Sequence, residues 1–328
     1  MSQEKPRVTI IGLGLIGGSI GLALRRAGAA SRIVGHDLDR EANIQAKKMG
    51  AVDRIEWNLP AAAEKADLVI LSTPVGGMEE TLRVIGPALR PGCVVLDTAT
   101  VKRPVLAWAA EYLPEGVHFV GGDPILSAAS DGRGGLEAAR ADLFRGGLFC
   151  IVPAPGSHES AIRLTGDLVR ILGAKPLFLD AAEHDGLIAA VDHLPALLAL
   201  ALTETAVGQP TWRELRKMAG PAFETGSELV AADIVGYGQA CFANRDNLLR
   251  WLDAFAEALA SIRRTLTEGQ AEDLTGRFYA AWDERQKWLA DRSEGQWLEG
   301  PRPELPERPG LLETFLGGLW PKKPPPAE

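Results

Sequence analysis

The chain has 328 residues, 46% of them hydrophobic, which is enough for two domains with separate cores. A formal charge of -8 argues against a basic nucleic-acid or anionic-membrane surface, so neither partner is expected. Cys93, Cys150 and Cys241 are far apart and odd in number, which excludes a disulfide framework and metal-ligand spacing; no metal is expected, and a reducing cytoplasm is the expected location. The N-terminus has no apolar signal core, and the longest apolar run, Leu194 to Leu202, is too short to span a bilayer.

The first predicted strand, Val8-Thr9-Ile10-Ile11, runs straight into Gly12-Leu13-Gly14-Leu15-Ile16-Gly17, then a helix, then a second strand, Ile33-Val34-Gly35, ending at His36 and Asp37. Each glycine has a separate task in that order. Gly12 permits a tight turn, Gly14 lets the backbone approach a pyrophosphate, and Gly17 lets helix and strand pack closely. Asp37, twenty residues past Gly17, is placed to accept from an adenosine ribose and to repel a 2′-phosphate. Gly12 to Gly17 with Asp37 therefore predict an NAD site.

Arg40 to Gly50 reads as a helix ending at its glycine. Further strands are expected at Asp67 to Leu71, Cys93 to Asp97 and Val117 to Val120, followed by loops carrying Ser72-Thr73-Pro74, Thr98 and Gly121-Gly122-Asp123-Pro124. Leu148 to Val152 and Pro176 to Leu179 read as edge strands. Strands alternating with helices imply a doubly wound Rossmann-type parallel sheet over residues 1–180, with ligands beyond the carboxyl ends of the strands. Ser72, Thr73, Pro74 and Thr98 then lie on the nicotinamide side.

From Ala181 the pattern becomes helical to about residue 295, an all-α C-terminal domain for substrate and dimerisation. Leu248, Leu252, Phe255, Leu259, Ile262 and Leu266 form one apolar stripe, and Leu274, Phe278, Ala281 and Trp288-Leu289 another. So much apolar surface on a small domain predicts a homodimer. Residues 296–328 are rich in proline and charge and read as an extended tail, with Leu311 to Trp320 as a short apolar segment.

One helical segment, EHDGLIAAVDHLPALLALALTET from Glu183 to Thr205, is apolar on nearly every face between Leu187 and Leu202 and is expected to be buried all round. Asp192 and His193 interrupt it, and Pro195 frees the carbonyl of Val191. An acid and an imidazole in such a place need partners, which a cleft would supply.

In order, GLGLIGGS, STPV, LDTATVK, FVGGDPI, EAARADLFRG and EHDGLIAAVDHLP resemble the prephenate/arogenate dehydrogenase family over roughly residues 6 to 290. The resemblance implies a nucleotide-binding domain, a helical dimerisation domain, NAD(P) and oxidative decarboxylation of a cyclohexadienyl substrate in tyrosine synthesis. That chemistry needs a base near a ring hydroxyl and groups that hold carboxylates. Asp123 stands where the family's GGHP loop has its catalytic histidine. Thr100 matches a serine that bonds the substrate hydroxyl, with Lys102 two residues on. The family's SHLPH becomes Asp192-His193-Leu194-Pro195-Ala196, keeping the first histidine as His193. Ser127 and Asp192 join the expected substrate side. The family's FRDxTR becomes Phe223-Glu224-Thr225-Gly226-Ser227-Glu228, so both arginine positions are glutamates. Three readings stay open: a dehydrogenase of prephenate or arogenate with Asp123 or His193 as base; a dehydrogenase of an amino-bearing substrate drawn by Asp123, Asp192, Glu224 and Glu228; and a catalytically silent NAD-binding regulatory protein.

Overall fold

A computed structural model describes residues 5–127, 135–231 and 234–294. The strands are β1 (Arg7–Ile11), β2 (Arg32–His36), β3 (Arg54–Ile55), β4 (Leu68–Leu71), β5 (Val94–Asp97), β6 (His118–Ile125), β7 (Leu148–Pro153) and β8 (Lys175–Phe178). They form one sheet in the order β3-β2-β1-β4-β5-β6-β7-β8. All neighbours are parallel except β6 and β7. The helices packed among these strands are α1 (Leu15–Ala27), α2 (Arg40–Met49), α3 (Leu59–Ala63), α4 (Val75–Ile85), α5 (Arg103–Tyr112) and α6 (Glu159–Leu172).

The central strands are short and almost wholly apolar because helices cover both faces of a parallel sheet. Every residue of β4 and β5 is buried, and so is every residue of β1 after Arg7. One core cluster gathers Ile10, Leu13, Ile20 and Phe149; a second, opposite, gathers Val69, Leu71, Met78 and Val95. The α2 helix begins at Asp39, whose carboxylate accepts from the Glu41 amide, and ends at Gly50 with φ 80°.

The sheet differs from the sequence expectation in three places. The two-residue β3 is an added edge strand, too short to leave a hydrophobic period. With β8 outside it, β7 lies within the sheet. The expected loop at Gly121 to Pro124 is the second half of β6, paired antiparallel with β7, so Asp123 faces Cys150 in the ladder. Pro124 is tolerated because β6 pairs with β5 only as far as Val120, leaving no strand among the described residues on that side to want its missing N–H.

After β8 come α7 (Ala181–Ile188), α8 (Leu194–Val207), α9 (Trp212–Met218), α10 (Pro221–Ser227), α11 (Ile234–Ala243), α12 (Arg245–Thr267) and α13 (Ala271–Glu294). Between α7 and α8, residues Ala189–His193 wind as a π turn. Pro195 accounts for it: its ring and missing N–H cannot continue regular winding four residues back, and the wider turn absorbs the strain. The resulting run Ala181–Val207 is long and apolar enough to cross a membrane by length and composition alone, which corrects the shorter limit drawn from Leu194 to Leu202. Its burial is also one-sided. Leu187 and Val191 are 51% and 71% exposed, while His184, Asp185 and His193 lie inside and bond to β6, α5 and their surroundings.

The described residues fall into two compact units that divide after Ala260. In the first unit, Leu194, Cys241 and Leu248 make a small core with Leu252 and Phe255 against it. In the second, Arg277 bonds Ser261, and Thr265 bonds Asp273 at 3.1 Å. Of the expected stripe on α12, Leu259 and Leu266 are exposed, as is Phe278 on α13. The proline-rich segment 296–328, including Leu311 to Trp320, lies outside the described residues.

Candidate active site

The glycine turn joins β1 to α1. Gly12 has φ +92°, and a Cβ there would lie 2.4 Å from the Ser72 carbonyl oxygen. A Cβ on Gly17 would lie 2.0 Å from the Gly12 carbonyl oxygen, so helix and turn touch through backbone. A Cβ on Gly14 would meet nothing within 4 Å. That open space lies at the start of α1, where Gly14 is the N-cap and no side chain among the described residues satisfies the first amides. The first N–H groups of a helix, facing a glycine surface left open by the described residues, fit a pyrophosphate. Leu13 is fully buried, while Leu15 and Ile16 are half-buried on α1. Asp37 closes the turn: its Oδ2 accepts from the Leu13 amide at 2.6 Å and its Oδ1 from the Asp39 amide at 2.8 Å. Each oxygen keeps a lone pair for a ribose hydroxyl.

The loops after β4 and β5 stand beside this turn. Thr98 donates toward the Leu71 carbonyl and Ser72 Oγ at 3.3 and 3.2 Å, joining the two strand ends. Thr73 lies against Met78, and Pro74 is the exposed N-cap of α4.

At the ends of β5 and β6 the structure gathers a polar cluster. His184 Nε2 lies 3.1 Å from Asp123 Oδ2, and its Nδ1 lies 3.0 Å from Asp185 Oδ1. Burial disfavours the imidazolium, but bonds to Asp123 and Asp185 outweigh it and raise His184 to about 11. Asp185 also caps α5, accepting from the amides of Lys102 at 2.7 Å and Arg103 at 2.9 Å. His193 Nε2 faces Thr100 Oγ1 at 3.5 Å, and burial lowers its pKa. Asp192 accepts from the Tyr237 hydroxyl at 3.1 Å. Burial, then the charge of Asp123, raise Asp192 to about 6. Asn244 donates to the Asp185 carbonyl at 2.7 Å and reaches His193 Nδ1 at 3.4 Å.

Residues 20–177 match the family model for the nucleotide-binding domain of prephenate dehydrogenase, and residues 180–279 match the model for its dimerization domain. The chain belongs to the prephenate dehydrogenase family. Over 97% of its length it is 27% identical to a prephenate dehydrogenase of Bacillus subtilis, covering 86% of that protein. It is 31% identical to a probable prephenate dehydrogenase of Streptomyces niveus, over 78% of this chain and 68% of that one. In fold it resembles a prephenate dehydrogenase of Aquifex aeolicus solved with hydroxyphenyl propionate and NAD+, with a TM-score of 0.80 at 24% identity over 87% of this chain and 99% of that one. Its relatives are dehydrogenases, and this chain carries the family's nucleotide-binding and dimerization domains. The first family match begins at residue 20, so the glycine turn rests on its own geometry.

Within the family's frame, the structure brings Thr100, Asp123, Asp192 and His193 together and sets other expected residues apart. Lys102 is corrected from a substrate-side group: its side chain is fully buried, paired with Asp97, and donates to the Gly122 carbonyl at 2.6 Å. Ser127 donates to the Arg145 carbonyl at 3.0 Å. Glu224 on α10 and Glu228 just after it are exposed. Sequence reasoning passed over His184, Asp185, Tyr237 and Asn244. For His184 and Asp185 the signal was present: a buried pair of polar residues at the start of an apolar helix needs partners.

Proposed function

We propose that this chain is an NAD-dependent dehydrogenase that oxidises and decarboxylates a cyclohexadienyl carboxylate of the prephenate or arogenate class. The observation that carries this reading is the Thr100–His193 pair held beside Asp123 and Asp192, at the same strand ends as the glycine turn. Gly12 to Gly17, the first amides of α1 and Asp37 would hold the dinucleotide, with Ser72 to Pro74 and Thr98 on its nicotinamide side. Asp37 favours NAD over NADP, because a carboxylate there repels a 2′-phosphate. Bound NAD supplies a hydride acceptor. Thr100 and His193 orient the ring hydroxyl, and their hydrogen-bonding groups, held in place, meet the charge developing at its oxygen.

A second substrate reading has its own support. Asp192 and Asp123 interact, which leaves the cluster acidic, and neither Glu224 nor Glu228 offers the cation found in FRDxTR. An ammonium-bearing substrate such as arogenate, whose amine offsets one of its two carboxylates, suits such a site better than prephenate, which carries two carboxylates and no amine.

We read residues 1–180 as the nucleotide half and 181–295 as the substrate and dimerisation half. Exposed Leu187, Val191, Ile234, Val235 and Phe242 fit a surface that pairs with a second copy. Three buried, unpaired thiols suit the cytoplasm.

Steady-state assays with NAD and NADP against prephenate, arogenate and amine-bearing analogues test the proposal. NAD-dependent turnover is expected, with arogenate preferred over prephenate. Turnover of none of them, with NAD still bound, would leave the silent regulatory protein as the better account.

A further inference from the structure

Three groups stand where the hydroxyl proton could be received, and two are already committed. Asp123 is 3% exposed and bonded by His184. His193 is committed by a chain of amides. Arg250 can only donate, and it donates to Asn247 Oδ1. The Asn247 amide nitrogen must therefore face Asn244, and it donates to Asn244 Oδ1 at 2.8 Å. Asn244 then presents its two N–H groups to the Asp185 carbonyl and to His193 Nδ1. With Nδ1 accepting, the neutral ring carries its proton on Nε2, pointed toward Thr100. In this state His193 donates a hydrogen bond and cannot take a proton at Nε2.

We propose that Asp192 is the catalytic proton acceptor of this enzyme. Its Oδ1 is held by Tyr237, its Oδ2 lies 3.8 Å from His193 Nε2, and its side chain is 35% exposed, so a ligand can reach it. A substrate hydroxyl placed among Thr100, His193 and Asp192 accepts from His193 Nε2–H and donates to Asp192 Oδ2. The groups facing Asp192 are Asp123 from β6, Tyr237 and Cys241 from α11, and its neighbour His193. Burial and the Asp123 charge bring it to about 6, close to a working pH, as a base requires.

The inference rests on the dehydrogenase reading, and the step balances within it. The O–H bond breaks and its proton goes to Asp192. The oxygen's electron pair becomes the second bond of a carbonyl as the carbon loses hydride to oxidised NAD. Loss of carbon dioxide then returns an electron pair to the ring, which becomes a phenol once its oxygen is protonated.

The test is D192N, with D192S as a second variant, in the full chain with NAD and the best substrate of the panel. D192N is expected to lower kcat by about 10²- to 10⁴-fold with KM changed little, and to remove the acid limb near pH 6 from kcat/KM. An infrared carboxyl band that titrates near pH 6 in the wild type should be absent from both variants. A wild-type pH profile in D192N, or a rise in KM alone, would overturn the proposal, the latter making Asp192 an ammonium-binding group. A missing band in the wild type would overturn it independently of turnover. A wild type that binds NAD but turns over no substrate would instead sink the dehydrogenase reading, and this proposal with it.

Discussion

The cofactor turn and the substrate cluster are built by opposite means. At the turn the decisive feature is the lack of side chains: Gly12 and Gly17 meet backbone where a Cβ would sit, and Gly14 leaves open space. In the cluster, side chains from β6, α7, the π turn, α11 and Asn244 just before α12 hold one another, and His184 by itself bridges two carboxylates. Steric sites tolerate no addition, whereas networks tolerate no deletion. The same contrast predicts where the protein breaks.

The largest effect is expected at the base of the network. Lys102→Met leaves Asp97 buried without its cation, which should cost about 3–5 kcal/mol. Chemical denaturation would measure it, and Asp97→Asn in the same chain, which removes the stranded charge and keeps an acceptor for one of the Ala99 and Gly122 amides, should restore part of the loss. A single variant as stable as the wild type would show that the pair does not tie β5 to its loop.

His184 comes next. Its folded pKa, about 11, lies above its ordinary value of 6.5. Its contribution to stability is therefore complete below about pH 6.5 and is lost as pH rises through about 11. The wild type should lose more Tm than His184→Gln between pH 7 and 11. Parallel Tm curves would mean that His184 is neutral in the folded protein.

Gly14 gives the smallest change in stability. Gly14→Ala should leave Tm unchanged and weaken NAD binding by roughly tenfold, or 1.4 kcal/mol, as isothermal titration would show. Gly17→Ala, whose Cβ meets backbone, should lower Tm as well as affinity. Equal Tm losses in the two would erase the distinction between open and packed glycines.

The same contrast explains what was legible in the sequence. The glycine turn, Asp37 and the apolar central strands could be read because steric demands and apolar runs act on near neighbours. The end of β6 could not, because Gly121-Gly122 and Pro124 look like loop punctuation. A Cβ on Gly122 would lie 2.6 Å from the Asp97 carbonyl oxygen, so that glycine serves close strand packing. Lys102 is expected from the sequence on the substrate side, because its partner, five residues back at Asp97, becomes visible only when β5 and its loop fold together. Asp123 and His184 are 61 residues apart, and Asp185 is 83 from Lys102. No local pattern records such a pairing.

The π turn at Ala189–His193 also bears on how such a site can change over time. A regular helix advances about 100° per residue, so the nine positions from His184 to His193 would place them on opposite sides. The wider turn absorbs about one residue of that advance, bringing the two to within about 80°. It behaves as a one-residue insertion that leaves the flanking helices in phase. A lineage can therefore gain or lose a member of this site by a single codon, without repacking the helices that carry it.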